Sequence, residues 1–109
     1  MIPVLRGNGF EDAVWVDSYR RCFRNGMPPN NCTPPPFVRA LHTQIRNENG
    51  GKWAGCFDLM AWTGEFVSFV ELKHRGHDSM RDEGWLWVHN ALKVGVSLEQ
   101  FSICEWEFE

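Results

Sequence analysis

The sequence predicts an α/β fold in which one small mixed β-sheet is flanked by helices. Three observations carry this prediction. "CFDLMAW" and "FVSFVELKH" are apolar runs separated by a turn signal, "DSMRDEGWLWVHNALKVG" has the length and capping residues of a helix, and "EQFSICEWEF" closes the chain as a strand. A helix between two strands is a crossover, and crossovers join parallel strands, whereas the hairpin is antiparallel. The chain of 109 residues, 43% hydrophobic and 14% aromatic, is long enough for one core, so residues 1–109 are expected to form a single domain.

Taken in order, "NGFEDAVWVDSYRRCFRNG" reads as a first helix from Phe10 to Arg24, with Asn8 as its cap and Gly26 as its stop. Phe10, Val14, Trp15, Tyr19 and Phe23 recur near helical spacing. The five prolines of "MPPNNCTPPP" exclude regular structure and predict an extended loop. Thr33 is placed as the cap of a second helix, "FVRALHTQIRNE", which stops at "NGG". After the hairpin, Asp78 or Ser79 caps the third helix and Gly95 ends it. Met80, Leu86 or Trp87, and Leu92 form its apolar face. The last strand places Cys104, Trp106 and Phe108 on one face and Glu105 and Glu107 on the other.

Composition excludes several classes. No apolar run approaches the roughly 18 residues of a membrane span, and "MIPVLRGNGFED" lacks the long apolar stretch of a secretory signal. Cys22, Cys32, Cys56 and Cys104 are scattered without a CxxC pair, which predicts reduced thiols in a cytoplasmic protein. The same scatter argues against a structural zinc, even with His74 and His77 close together. The net charge of -3 is unevenly distributed. Four of the fourteen acids, Glu99, Glu105, Glu107 and Glu109, follow Lys93, so residues 1–93 carry eleven basic and ten acidic side chains. A cation bound to two carboxylates tilts that part positive, so net charge does not exclude a nucleic-acid partner.

The hairpin turn gives a register. Gly64-Glu65 suits a two-residue type II′ loop, which places Thr63 opposite Phe66, Trp62 opposite Val67 and Met60 opposite Phe69. Asp58 then falls opposite Glu71, and cross-strand Cβ atoms lie about 4.5–5.5 Å apart. Lys73, two residues beyond Glu71, projects from the same face. An alternative loop, Thr63-Gly64, keeps Asp58 and Glu71 on one face diagonally, whereas a three-residue loop would put them on opposite faces. Facing carboxylates repel, the more so beside Phe57, Leu59, Val70 and Leu72. A divalent cation relieves that repulsion, and hard oxygen ligands suit magnesium or manganese. A metal with a lysine beside it is equipped for phosphodiester hydrolysis. The plain alternative is a surface Glu-Lys pair at an ordinary strand end.

"GCFDLMAW" followed by "VSFVELKH" resembles the PD-(D/E)xK nuclease core, and "GCFD…FVELK…D…W…G" more narrowly resembles the virus-type replication and repair nuclease domain, VRR-NUC. The resemblance runs from about Gly55 to Gly95 and implies a restriction-endonuclease-like core. It implies that Asp58 and Glu71 bind Mg2+ or Mn2+, that the Leu72 main-chain carbonyl is a further ligand, and that Lys73 is catalytic. It also implies an acid in the first helix, for which Glu11 is the best candidate and Asp17 the other. Phe57 stands where the family usually has proline, and Asp82 or Glu83 stands where it has glutamine. Family members without flanking domains tend to form homodimers and cut branched DNA. The implied activity is therefore a structure-specific endodeoxyribonuclease acting on a junction or flap, consistent with a phage-encoded protein in the host cytoplasm.

Basic residues complement such a site. Arg20, Arg21 and Arg24 cluster on the first predicted helix, and Arg39 and Arg46 on the second. His74, Arg75, His77 and Arg81 follow the Glu-x-Lys strand and are placed to grip a phosphate backbone. The Trp85–Trp87 pair is expected in the core, and Trp53, in "GGKWAG", on a loop facing a base or partner. The rival reading, from another class, is a catalytically inactive nuclease-like binding protein, such as a viral inhibitor of a host defence or repair factor.

Overall fold

The computed structural model, which describes residues 10–25, 30–74 and 81–106, replaces the first predicted helix with two strands. β1 (Asp12–Asp17) and β2 (Cys22–Asn25) pair antiparallel, with Trp15 opposite Arg24. The reason lies in how β1 is buried. Val14 and Val16 enter the main core while Ala13 is buried on the opposite face, so "DAVWVD" is apolar on both sides. A short run buried on both faces has no alternation to show, and its periodicity cannot separate strand from helix. The β-branched valines favour the strand. Asp17 ends it by accepting the Arg20 N–H on Oδ1 at 3.0 Å, and Arg21 turns the chain with φ 56°.

β3 (Asn30–Cys32) adds to β2 within the proline-rich segment expected to lack regular structure. Helix α1 (Pro36–Glu48) matches the second predicted helix, but Thr33 does not cap it. Pro35 is the capping residue and makes no side-chain bond, and Pro36 begins the helix with its φ already set. α1 buries Val38, His42 and Ile45, a single stripe at helical spacing.

The predicted hairpin forms. β4 (Leu59–Thr63) pairs with β5 (Phe66–His74) in the expected register, with Thr63 opposite Phe66, Trp62 opposite Val67 and Met60 opposite Phe69. Gly64 has φ 59° while Glu65 keeps a negative φ, as a type II′ turn requires. Helix α2 (Asp82–Lys93) begins later than predicted, with Arg81 as its cap; Asp78, Ser79 and Met80 lie outside the described residues. Its buried face is Gly84, Trp87, Val88, Asn90 and Ala91, whereas Leu86 and Leu92, expected inside, are exposed. The Trp85–Trp87 pair divides, Trp87 being fully buried and Trp85 exposed. Gly95, at φ 97°, ends the segment as predicted.

β6 (Phe101–Trp106) runs parallel to β5, so α2 is the expected crossover. The result is a six-stranded mixed sheet of order β3-β2-β1-β4-β5-β6. Both described helices lie on one face of it. Val38 and Ile45 of α1 and Trp87, Val88 and Ala91 of α2 share a core with Val14, Val16, Met60, Trp62, Val67 and Phe69. The other face buries Ala13, Leu59, Ala61 and Val70 in a smaller cluster. No described helix is long and apolar enough to cross a membrane.

Candidate functional site

The segment that leads into β4 is held from three sides. At the end of α1, Asn49 donates from Nδ2 to the Lys52 carbonyl at 2.9 Å and the Ala54 carbonyl at 3.1 Å. Its Oδ1 accepts from Nδ2 of Asn90 on α2 at 2.9 Å, so one buried amide pair ties both helices to the loop. Trp53 is only 8% exposed, its ring packed 4.3 Å from His42 and 5.1 Å from Phe23 between centroids, with the Arg46 guanidinium 5.0 Å above it. Its role is therefore core packing, not the outward contact expected from the loop.

Gly55, at φ 92°, lies against the first turn of α2, where a Cβ would overlap the Glu83 carbonyl oxygen. Phe57, at the position where the resemblance has proline, is buried and packs edge-on against Phe101 at 5.2 Å. Asp58 follows directly. Its carbonyl accepts the Val16 N–H at 2.8 Å, which docks the start of β4 onto β1.

The paired register ends at Leu59–Val70, and Asp58, just before it, lines the same cleft as Glu71 and Lys73, which follow Phe69 along the helix-bearing face of β5. Asp58 Oδ2 accepts the Leu72 N–H at 2.9 Å. Glu71 is half-buried, and burial pushes its carboxyl up to about 8, helped by a hydrogen bond with the Asp58 side chain and the Asp58 charge and opposed by Lys73. Two carboxyl groups sharing a hydrogen bond need a proton between them. The pair is thus a site where negative charge is crowded and a proton is held in its place. Burial, then Glu71 and Asp58, push the adjacent Cys56 thiol well above its usual range, so it stays protonated and is not a nucleophile.

These residues open into a cleft of about 1030 Å³ between the ends of β1, β4 and β5, the loop 52–56 and the start of α2. Arg21, Arg24, Lys52, Lys73 and Arg81 line it, against Asp17, Asp58, Glu71 and Glu83. Asp58, Glu71, Lys73, Arg21 and Arg81 are therefore assembled at one place, from β4, β5, the β1–β2 turn and the start of α2.

Other expected site residues are elsewhere. Glu11 accepts the Gly64 N–H on Oε1 at 2.9 Å, at the opposite end of β4 from Asp58, because the segment expected to bring it close is a strand and not a helix. At roughly 3.4 Å per residue, that end is more than about 15 Å from Asp58. Asp17 lines the cleft but alternates onto the sheet's other face, and it pairs with Arg20 at 3.3 Å and Arg24 at 3.4 Å. The Arg20 N–H, then those guanidinium groups, hold its carboxyl below the usual range. Arg20 is at the turn but does not line the cleft, nor do Arg39 and Arg46 on α1. His74 ends β5, and Arg75 and His77 lie outside the described residues.

Residues at the site that the sequence does not single out include Lys52, Asn49 and Asn90, whereas Gly55 opens the motif that carries the resemblance. Asn90 carried a signal, being polar on the apolar face of α2; Lys52 carried none beyond its glycine-rich neighbourhood. Among the described residues, no three His, Cys, Asp or Glu side chains form a metal-binding group. The oxygen donors at the cleft are the carboxylates of Asp58 and Glu71, with the Leu72 carbonyl between Glu71 and Lys73.

No family model, curated protein or solved structure matches this chain. Fold and site by themselves define a small mixed α/β protein with a crowded acidic pair and a lysine in a cleft rimmed by cations.

Proposed function

We propose that the chain is a Mg2+- or Mn2+-dependent endodeoxyribonuclease with a restriction-endonuclease-like, VRR-NUC-type core, hydrolysing phosphodiester bonds in branched DNA such as a junction or flap. The observation that carries the reading is the enforced contact between Asp58 and Glu71 beside Lys73, on the floor of a cation-rimmed cleft. The homodimer, the phage origin and the host cytoplasm belong to the same reading through the resemblance.

The donor set fits a hard cation. Asp58, Glu71 and the Leu72 carbonyl offer oxygen, and the one nearby soft donor, Cys56, keeps its proton. A proton held on Glu71 up to about 8 is what such a cation displaces. When bound, the cation supplies Lewis-acid stabilisation of the charge developing on phosphorus. The chain does the rest. The Leu72 N–H fixes Asp58, Lys73 orients the attacking water or relays its proton, and Arg21, Lys52 and Arg81 hold the neighbouring phosphates.

The test is cleavage of junction, flap and plain duplex DNA with Mg2+ or Mn2+ by wild type, Asp58→Asn and Lys73→Ala. Loss in both variants with unchanged melting supports the site; undiminished cleavage by both refutes it. The rival reading, a nuclease-like protein that binds and inhibits a host factor, draws on Asp82 or Glu83 standing where the resemblance has glutamine and on the acidic residues that follow Lys93. It predicts no cleavage of any nucleic acid and a stable complex with a host protein.

A further inference from the structure

We infer that the β1–β2 turn reads an unpaired nucleotide, with Tyr19 stacking on an exposed base while Arg21 takes the adjoining phosphate. The inference rests on the nuclease reading of the cleft and names the feature of the DNA that the cleft selects.

Tyr19 is 94% exposed, the most exposed large hydrophobic side chain among the described residues, and it lines the same cleft as Asp58, Glu71 and Lys73. An aromatic ring in water forgoes burial that five other aromatics here obtain, and the exposed Phe66 and Trp85, at 51% and 55%, still keep about half of their surface covered. Phe57, Phe69, Trp53, Trp62 and Trp87 are all inside. The turn that presents the ring is ordered. Asp17 accepts the Arg20 N–H at 3.0 Å on Oδ1 and receives the Arg20 and Arg24 guanidinium groups at 3.3 and 3.4 Å on Oδ2.

Arg21 is the one described non-glycine residue with a positive φ, 56°, and it too lines the cleft. A non-glycine residue held in that region marks a turn whose shape the surroundings impose. A pre-ordered aromatic followed by two arginines, above a cleft lined by five cationic and four acidic side chains, has the chemistry of a single-strand platform. Every base offers a π-face, and arginine meets the backbone between bases. A paired base is already stacked and cannot reach the ring, so the turn favours single-stranded arms and branch points over continuous duplex.

The experiment compares wild type, Tyr19→Ala and Tyr19→Trp with Ca2+ in place of Mg2+. The probes are a single-stranded oligonucleotide carrying one 2-aminopurine and a blunt duplex of equal length. Wild type is expected to quench the 2-aminopurine. Tyr19→Ala is expected to abolish the quenching and weaken single-strand binding roughly 5- to 150-fold, the range for one base-stacking contact, with duplex binding changed less than about twofold. Tyr19→Trp is expected to restore both signals. Equal weakening on both probes, or none on either, overturns the role of the turn and leaves the nuclease reading standing. A wild type that binds neither probe and cuts no DNA with Mg2+ overturns both.

Discussion

Asp58 accepts the backbone N–H of Leu72 at 2.9 Å, so its carboxylate is tied to the one residue that separates Glu71 from Lys73. A single bond across the open end of the hairpin thus holds all three chemical groups together. Asp58→Asn keeps an acceptor for Leu72 but loses the charge. Its melting temperature is expected to stay near that of wild type while cleavage falls by about 100-fold or more. Asp58→Ala loses both and is expected to be destabilised as well, by roughly 1.5–3 kcal/mol. Thermal melting run beside a nuclease assay separates the two effects.

Lys73→Ala tests the proton-transfer role apart from ligand binding. Cleavage is expected to fall by roughly 100- to 10,000-fold while Mn2+ affinity, measured by calorimetry, does not weaken. A parallel loss of Mn2+ binding would place Lys73 in holding the site together and not in the chemistry.

Glu71 gives the metal-free protein a pH signature. Its carboxyl titrates near 8 in the fold and near 4.5 when unfolded. Between these values the native state binds more protons, so this contribution to stability is full below about 4.5 and lost as pH rises through about 8. In EDTA the melting temperature is expected to decline from pH about 4.5 to about 8 and to level off above that. Glu71→Gln should flatten the decline, and Mg2+ or Mn2+ should raise the melting temperature most at the alkaline end. A flat profile for wild type would show that the two carboxylates are not crowded in solution.

His42 acts in the opposite direction at lower pH. Buried among Phe23, Trp53 and Trp87, it is pushed down to about 3 by burial and then by the Arg46 charge, from 6.5. The unfolded chain takes up the proton first, so this contribution is full above about 6.5 and lost as pH falls through about 3. Its Nε2 has no hydrogen-bond partner among the described residues, which leaves little for an apolar side chain to forfeit. His42→Leu is expected to shift acid unfolding, followed by near-UV circular dichroism, to lower pH, with stability at pH 7 changed by less than about 1.5 kcal/mol.

Gly55→Ala and Gly50→Ala separate close approach from backbone freedom. Both positions have positive φ, 92° and 70°, but only at Gly55 does a Cβ meet backbone, that of Glu83 at the start of α2. Gly50→Ala is expected to cost about 1 kcal/mol and leave cleavage intact. Gly55→Ala should cost more, roughly 2–3 kcal/mol or above, and lower cleavage by displacing the loop that delivers Asp58. Chemical denaturation and the nuclease assay provide the readouts.

The sequence alone determined the hairpin, its register and the crossover to β6, because each rests on short-range rules. A glycine at the first turn position sets which residues face each other, and a helix between strands makes them parallel. That was enough to place Asp58, Glu71 and Lys73 on one face. The tertiary structure alone decided what surrounds them. β1 is buried on both sides, so its pattern of apolar residues carries no mark distinguishing strand from helix, and Glu11, expected as a site acid on a first helix, lies instead at the Gly64 end of β4. The β1–β2 turn reaches the acidic pair across 36 intervening residues from Arg21 to Asp58, and Gly55 meets Glu83 across 27, separations over which local periodicity carries no information.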